Sequence, residues 1–164
     1  MLKKVNESRI TYLKLDESDK FLFLFIALRA SIEGFQVMRK VIIVDTTHFK
    51  NGYGGVLVFA LAQDPNRHHY IIVVGVLDKE NYASWGWFFE KLLSVVPDTP
   101  ELVFMSDKNS SLIKRIRNVY SAAHHGYCVW HLSQNVKGHA TNINKDVLAW
   151  KFMELSRIYT MAEF

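Results

Sequence analysis

Two aspartates stand at the ends of apolar runs. "VIIVDTTHF" at 41 to 49 carries Asp45, and "ELVFMSD" at 101 to 107 closes on Asp107. An aspartate after an apolar β-run has an ordinary explanation, since Asp favours turns. Taken singly, either is a turn residue sooner than a ligand. A pair is different. If the two runs are neighbouring strands, both carboxylates emerge side by side and repel unless a cation lies between them. Hard oxygen ligands suit Mg²⁺ or Mn²⁺, and two such ions roughly 3.5–4 Å apart clamp a phosphate, which outlines a phosphoryl-transfer site.

The elements that would position the pair can be read from the punctuation. "VIIVDTTHF", "VLVFALAQD" and "YIIVVGVLD" are strands, separated by the turns "KNGYGG" and "PNRHH". Three strands with short turns form an antiparallel meander. "NYASWGWFFEKLLSVV" has a helical apolar stripe with Asn81 as N-cap. Then come the strand ending at Asp107, a helix "NSSLIKRIRNVY" burying Ile113, Ile116 and Tyr120, a strand "YCVWH", and helical sequence from Leu132 broken around "GHATNIN". A meander followed by strands alternating with helices is the order an RNase H-like mixed α/β sheet needs, because parallel strands require helical crossovers. Ahead of it, residues 1–20 read as an irregular segment, and "FLFLFIALRASIEGFQVMRK" as a strand passing into a short helix that Gly34 terminates. Residues 21–164 read as one domain.

Composition narrows the rest. A hydrophobic share of 49% excludes a disordered chain, and 20 Lys and Arg against 16 Asp and Glu favour an anionic partner only mildly. Cys128 is the sole cysteine, which excludes an intramolecular disulfide and a four-cysteine zinc site. "FLFLFIAL" stops at Arg29, short of the roughly 20 residues that span a bilayer, so no membrane association is expected.

Block after block, "VIIVDTTHFKNGYGGVLVFALAQDPN", "VLDKENYASWGWFFEKL", "MSDKNSSLIKRI" and "CVWHLSQNVK" resemble the transposase domain of Mutator-like elements, the MULE transposases, known especially from plant genomes. The resemblance runs from about Phe21 onward. It rests on an Asp-x-Thr with a lysine and a Tyr-x-Gly turn, an Asp-x-Asn, a Glu-x-x-x-x-Trp-x-Trp-Phe, a Ser-Asp and a Cys-x-x-His, in the family's order. It implies a DDE-type recombinase with an RNase H-like fold, a nuclear DNA partner, and DNA strand cleavage and transfer in transposition. Asp45 and Asp107 match the first two catalytic, metal-holding acids. Related transposases work in synaptic multimers, which admits a homo-oligomer.

One departure qualifies this. The family's third acid lies downstream of a helical insertion in a segment resembling Thr-Asn-x-x-Glu-Ser, and no such segment occurs here. Beyond the Cys-x-x-His the only acids are Asp146, Glu154 and Glu163, the last in "YTMAEF", which resembles an ordinary family helix. The triad is therefore expected to be incomplete. The chain reads as a C-terminally incomplete catalytic-core fragment, inactive or severely impaired, and whether it counts as an enzyme stays open. The alternative is a domesticated, transposase-derived DNA-binding regulator of transcription without catalysis.

Other residues carry weaker signals. Lys50 and Lys108 flank the aspartates and can track phosphates, as can Lys114, Arg115 and Arg117, though a solvated helix face explains them equally well. His48 reads as an exposed turn residue. Cys128, in the last strand, and His131, at the following helix start, can orient DNA or the site; a buried thiol and a helix-start histidine is the equal alternative, and no zinc site is expected. Trp85, Phe88 and Phe89 recur at helical spacing and are expected to pack on the sheet instead of stacking on bases.

Overall fold

In the computed structural model residues 9–50, 52, 54–140 and 144–158 are described. The elements run β1 (Ile10–Leu15), β2 (Phe21–Ala27), α1 (Arg29–Phe35), β3 (Val41–His48), β4 (Val56–Gln63), β5 (His69–Leu77), α2 (Tyr82–Leu92), β6 (Val103–Ser106), α3 (Ser110–Val119), β7 (His124–Tyr127), α4 (Val129–His139) and α5 (Lys145–Leu155). The chain forms two compact units, residues 1–126 and 127–164. Among the described residues no helix is long and apolar enough to cross a membrane.

One seven-stranded sheet is ordered β1-β2-β5-β4-β3-β6-β7. β3, β4 and β5 form the expected antiparallel meander, and β6 lies parallel to β3 on the side away from β4. The fold is thus mixed α/β. Its burial follows the strand period of two: Ile42 and Val44 on β3, Val56, Val58, Ala60 and Ala62 on β4, and Phe104 on β6 are buried, while their neighbours Ile43, Leu57 and Met105 are half-buried. Trp85, Phe88, Phe89 and Leu92 of α2 and Leu112, Ile113 and Ile116 of α3 join the same core. Trp85, Phe88 and Phe89 are therefore core, as expected.

Asn81 caps α2, its side chain accepting from the backbone N–H of Ala83 and Ser84 at 2.8 and 2.9 Å. Gly75 of β5 makes room for the helix: a Cβ there would stand 2.7 Å from Phe88 Cε2 and 3.5 Å from Val58 Cβ. Phe88 has nowhere to retreat, with the rings of Phe25, Trp85 and Phe89 centred 5.7, 6.2 and 5.5 Å away. Gly75→Ala is accordingly expected to destabilise the protein by about 1–3 kcal/mol, although alanine ordinarily improves a strand. A urea midpoint equal to or above that of the wild type would contradict this.

Two boundaries in the N-terminal part differ from the sequence reading. Residues 1–20 are not irregular throughout, because Ile10–Leu15 pairs antiparallel with β2 at the sheet edge. Ile10 and Tyr12 pack against the core, but Leu13 and Leu15 on the alternate side are 59% and 42% exposed, so apolar residues on both faces hide the alternation. The turn into β2 is closed by Asp16, whose Oδ1 accepts from the N–H of Ser18 and Lys20 at 2.8 and 2.9 Å. Helix α1 continues through Gly34 to Phe35, whose burial holds the last residue in place. Residues 1–8, Asn51, Tyr53, residues 141–143 and the expected helix in "YTMAEF" lie outside the described residues.

Candidate functional site

β3 and β6 set the geometry. Their parallel register aligns Val41 with Val103, Ile42 with Phe104 and Ile43 with Met105. Continued by two residues, it carries β3 to Asp45 and the other chain segment to Asp107, one residue past the end of β6. Neighbouring strands lie about 4.8 Å apart. By strand alternation both aspartates follow Ile43 and Met105, away from the buried Val44 and Ser106. Both are half-buried. The condition on which the paired reading depended, that the two runs be neighbouring strands, is met.

Local hydrogen bonds fix each aspartate. Asp45 Oδ1 accepts from the N–H of Thr46 at 2.9 Å. Asp107 Oδ1 accepts from the N–H of Asn109 at 3.0 Å, and Asn109 Oδ1 in turn caps α3 by accepting from the N–H of Leu112 at 3.1 Å. The sequence "SDKNSS" thus places a carboxylate and a helix cap two residues apart, so the start of α3 is tied to Asp107.

Beneath this turn the fully buried Ser106 hydroxyl donates to the Asp107 carbonyl at 3.0 Å, and His125 Nε2 of β7 lies 2.9 Å from the same hydroxyl. With that single proton given to the carbonyl, His125 must donate from Nε2, as its neutral form can. Burial, and then the positive charge of Arg117, lower the His125 pKa. Because the folded pKa lies below the unfolded value of about 6.5, the unfolded chain binds more protons in acid. The contribution of His125 is therefore full above about pH 6.5 and is lost as the pH falls toward the folded pKa. Urea midpoints at about pH 7.5 and about pH 5.5 are expected to drop in the wild type and to drop less in His125→Gln; equal drops would contradict the assignment.

Glu80 was not singled out by sequence reasoning, although it opens the Glu-x-x-x-x-Trp-x-Trp-Phe block. It follows β5, and its side chain is only 18% exposed. Oε1 accepts from the Thr46 hydroxyl at 2.8 Å and Oε2 from the Asn109 side-chain amide at 2.7 Å. His48 is exposed as expected, but it ends β3 instead of lying in a turn, with Nε2 3.9 Å from Glu80 Oε1.

The flanking cations divide by role. Lys50 and Lys108 are exposed, immediately beyond β3 and beyond Asp107. Arg115 is committed to packing: its guanidinium lies 3.6 Å from the Tyr82 ring centre, Nε donates to the Tyr82 carbonyl at 2.8 Å, and it fills the space left by Gly86. Lys114 also covers Tyr82, at 5.5 Å. Lys108 and Arg117 are exposed.

Cys128 and His131 belong to the second compact unit, as do the downstream acids Asp146 and Glu154. The strand expected at 127–131 lies instead at His124–Tyr127, and Val129–His131 open α4, with Cys128 as its N-cap. His131 lies in the first turn of α4 and is half-buried. Asp146 pairs with Lys137 at 2.5 Å, joining α5 to α4, and Glu154 is an exposed residue of α5. Glu163 lies outside the described residues. Among the described residues no three His, Cys, Asp or Glu side chains group closely enough to hold a metal ion.

These observations define an α/β domain in which one aspartate lies within a strand and the other just past the end of the parallel strand beside it. Residues 41–135 match the MULE transposase domain, from the first residue of β3 into α4. That is more than half of the chain, which therefore belongs to the MULE transposase domain family. No curated protein matches it.

Proposed function

We propose that this chain is the catalytic-core portion of a DNA transposase with an RNase H-like sheet, acting on DNA in the nucleus, in which Asp45 and Asp107 hold Mg²⁺ or Mn²⁺. The observation that carries the reading is the parallel pairing of β3 with β6, which aligns the two aspartates inside the segment that matches the family. The sheet order β5-β4-β3-β6-β7 supports the fold, with a meander on one side of β3 and the strands that follow helices on the other.

The donor set fits a hard divalent cation. Both groups are carboxylates, both are half-buried, and each keeps one oxygen on a backbone N–H. When bound, such an ion lowers the pKa of water and polarises a phosphate. The protein's own part is positional. β3 and β6 present the acids at fixed points, the Asn109 cap holds the turn after Asp107, and Lys50 and Lys108 draw the phosphate backbone toward them. With only two acids aligned, the chain by itself is expected to bind DNA and cleave it poorly.

Fluorescence anisotropy with a labelled DNA duplex, in Mn²⁺ and in EDTA, tests the reading. Wild type is expected to bind more tightly in Mn²⁺, and Asp45→Ala with Asp107→Ala to lose the difference. Equal affinity in Mn²⁺ and EDTA would sink it and favour the DNA-binding regulator without catalysis. Rapid nicking of supercoiled plasmid by the chain alone would overturn the expected impairment.

A further inference from the structure

Glu80 joins two chain segments that are far apart in sequence. Its Oε1 takes the hydroxyl of Thr46, the residue after Asp45, and its Oε2 takes the amide of Asn109, whose backbone N–H holds Asp107. Its own backbone stands between two anchors. Asn81 next to it caps α2, and Asp78 two residues before accepts from the Ser84 hydroxyl at 2.6 Å and from the N–H of Lys79 at 2.8 Å. The glutamate side chain is therefore carried on a fixed base, between β5 and α2.

We propose that Glu80 is a positioning residue for the two-aspartate site, acting through Thr46 and Asn109 to hold Asp45 and Asp107 in mutual register; the assignment rests on the reading of those aspartates as one cation site. The role assigned is positioning, because both of its oxygens are taken by the Thr46 hydroxyl and the Asn109 amide.

A carboxylate suits the task because it only accepts, with two oxygens, and both of its neighbours donate. Hydrogen bonds to an ionised group are also shorter and stronger than neutral ones. The Asn109 amide cannot turn over to accept instead, because its Oδ1 is spent on the α3 cap. Glutamine at position 80 can keep the geometry in one orientation: its oxygen accepts from Asn109 and its NH₂ donates to the Thr46 hydroxyl, which also accepts. Alanine removes both ties and leaves the Asn109 amide and Thr46 hydroxyl partly buried without these acceptors, which costs stability too. A readout that separates positioning from simple tethering is therefore needed.

The test combines calorimetric Mn²⁺ titration, thermal melting, and amide hydrogen exchange of segments 45–48 and 107–112 without metal. It uses wild type, Glu80→Ala, Glu80→Gln, Thr46→Val, and Asp45→Ala with Asp107→Ala. Glu80→Ala is expected to weaken Mn²⁺ binding about 10–100-fold, the usual effect of losing a partner that orients a ligand. It should also speed exchange in both segments together. Thr46→Val, which keeps the strand and removes one arm, should change both readouts in the same direction if Glu80→Ala fails to fold. Glu80→Gln should stay close to wild type. Wild-type Mn²⁺ affinity in Glu80→Ala or Thr46→Val, even with a lowered melting temperature, would reduce Glu80 to a tether and overturn the proposal. A loss in Glu80→Gln as complete as in the double aspartate variant would overturn it in favour of direct ligation. If the double aspartate variant binds Mn²⁺ like wild type, the cation-site reading fails instead. The exchange data then decide separately whether Glu80 joins the two segments.

Discussion

Alanine at both Asp45 and Asp107 is expected to abolish specific Mn²⁺ binding and, with it, the stabilisation that the ion confers. The argument is electrostatic. Two half-buried carboxylates on neighbouring parallel strands repel, and a divalent cation turns that repulsion into attraction. An ion that binds only the folded chain raises its stability by about 2.7 kcal/mol at a hundredfold excess over Kd. Melting curves with and without Mn²⁺ should therefore separate clearly for wild type and coincide for the double variant. Each single variant should keep a weaker site, because one carboxylate remains. An equal Mn²⁺-induced shift in wild type and double variant would contradict the site.

Phe89→Ala carries the largest expected effect on folding. The Phe89 ring is fully buried and stands at the centre of an aromatic cluster, 5.9 Å from Trp85, 5.5 Å from Phe88, 5.9 Å from Phe104 and 6.4 Å from Tyr120. Tyr120 is itself fixed, its hydroxyl donating to the Val96 carbonyl at 3.0 Å. The surrounding rings come from α2, β6 and the end of α3, so the cavity cannot close by moving one side chain. Truncation of this kind costs about 3–5 kcal/mol, a large part of the roughly 5–15 kcal/mol that holds a domain folded. A urea midpoint within error of wild type would contradict the packing. The same result would reopen base stacking, the role that burial assigns away from this helix.

The sequence was most legible where local chemistry and pattern agree. Asn81 announces α2 as its cap, and the burial of Trp85, Phe88 and Phe89 follows from helical spacing alone. The two aspartates could be picked out because each breaks an apolar run, and the reading of them as one site was conditional on the two runs being neighbouring strands. β1 was hidden because Leu13 and Leu15 put apolar side chains on the exposed face of an edge strand, where alternation is the only signal. Glu80 was missed for a different reason. Its partners lie 34 and 29 residues away along the chain, and heading the Glu-x-x-x-x-Trp-x-Trp-Phe block does not tell a buried tie from a solvated charge before a helix cap. Arg115 shows the converse: it reads as one of a run of phosphate-facing cations, yet the missing side chain of Gly86 seats it against α2.

The central claim, that Asp45 and Asp107 form one cation site, is tested most directly by anomalous diffraction from crystals grown in Mn²⁺. The account predicts a Mn²⁺ peak with carboxylate oxygens of both aspartates within about 2.0–2.6 Å, the range of hard divalent cations. Carboxylates pointing to opposite faces of the sheet, or Mn²⁺ bound elsewhere with none between β3 and β6, would contradict it.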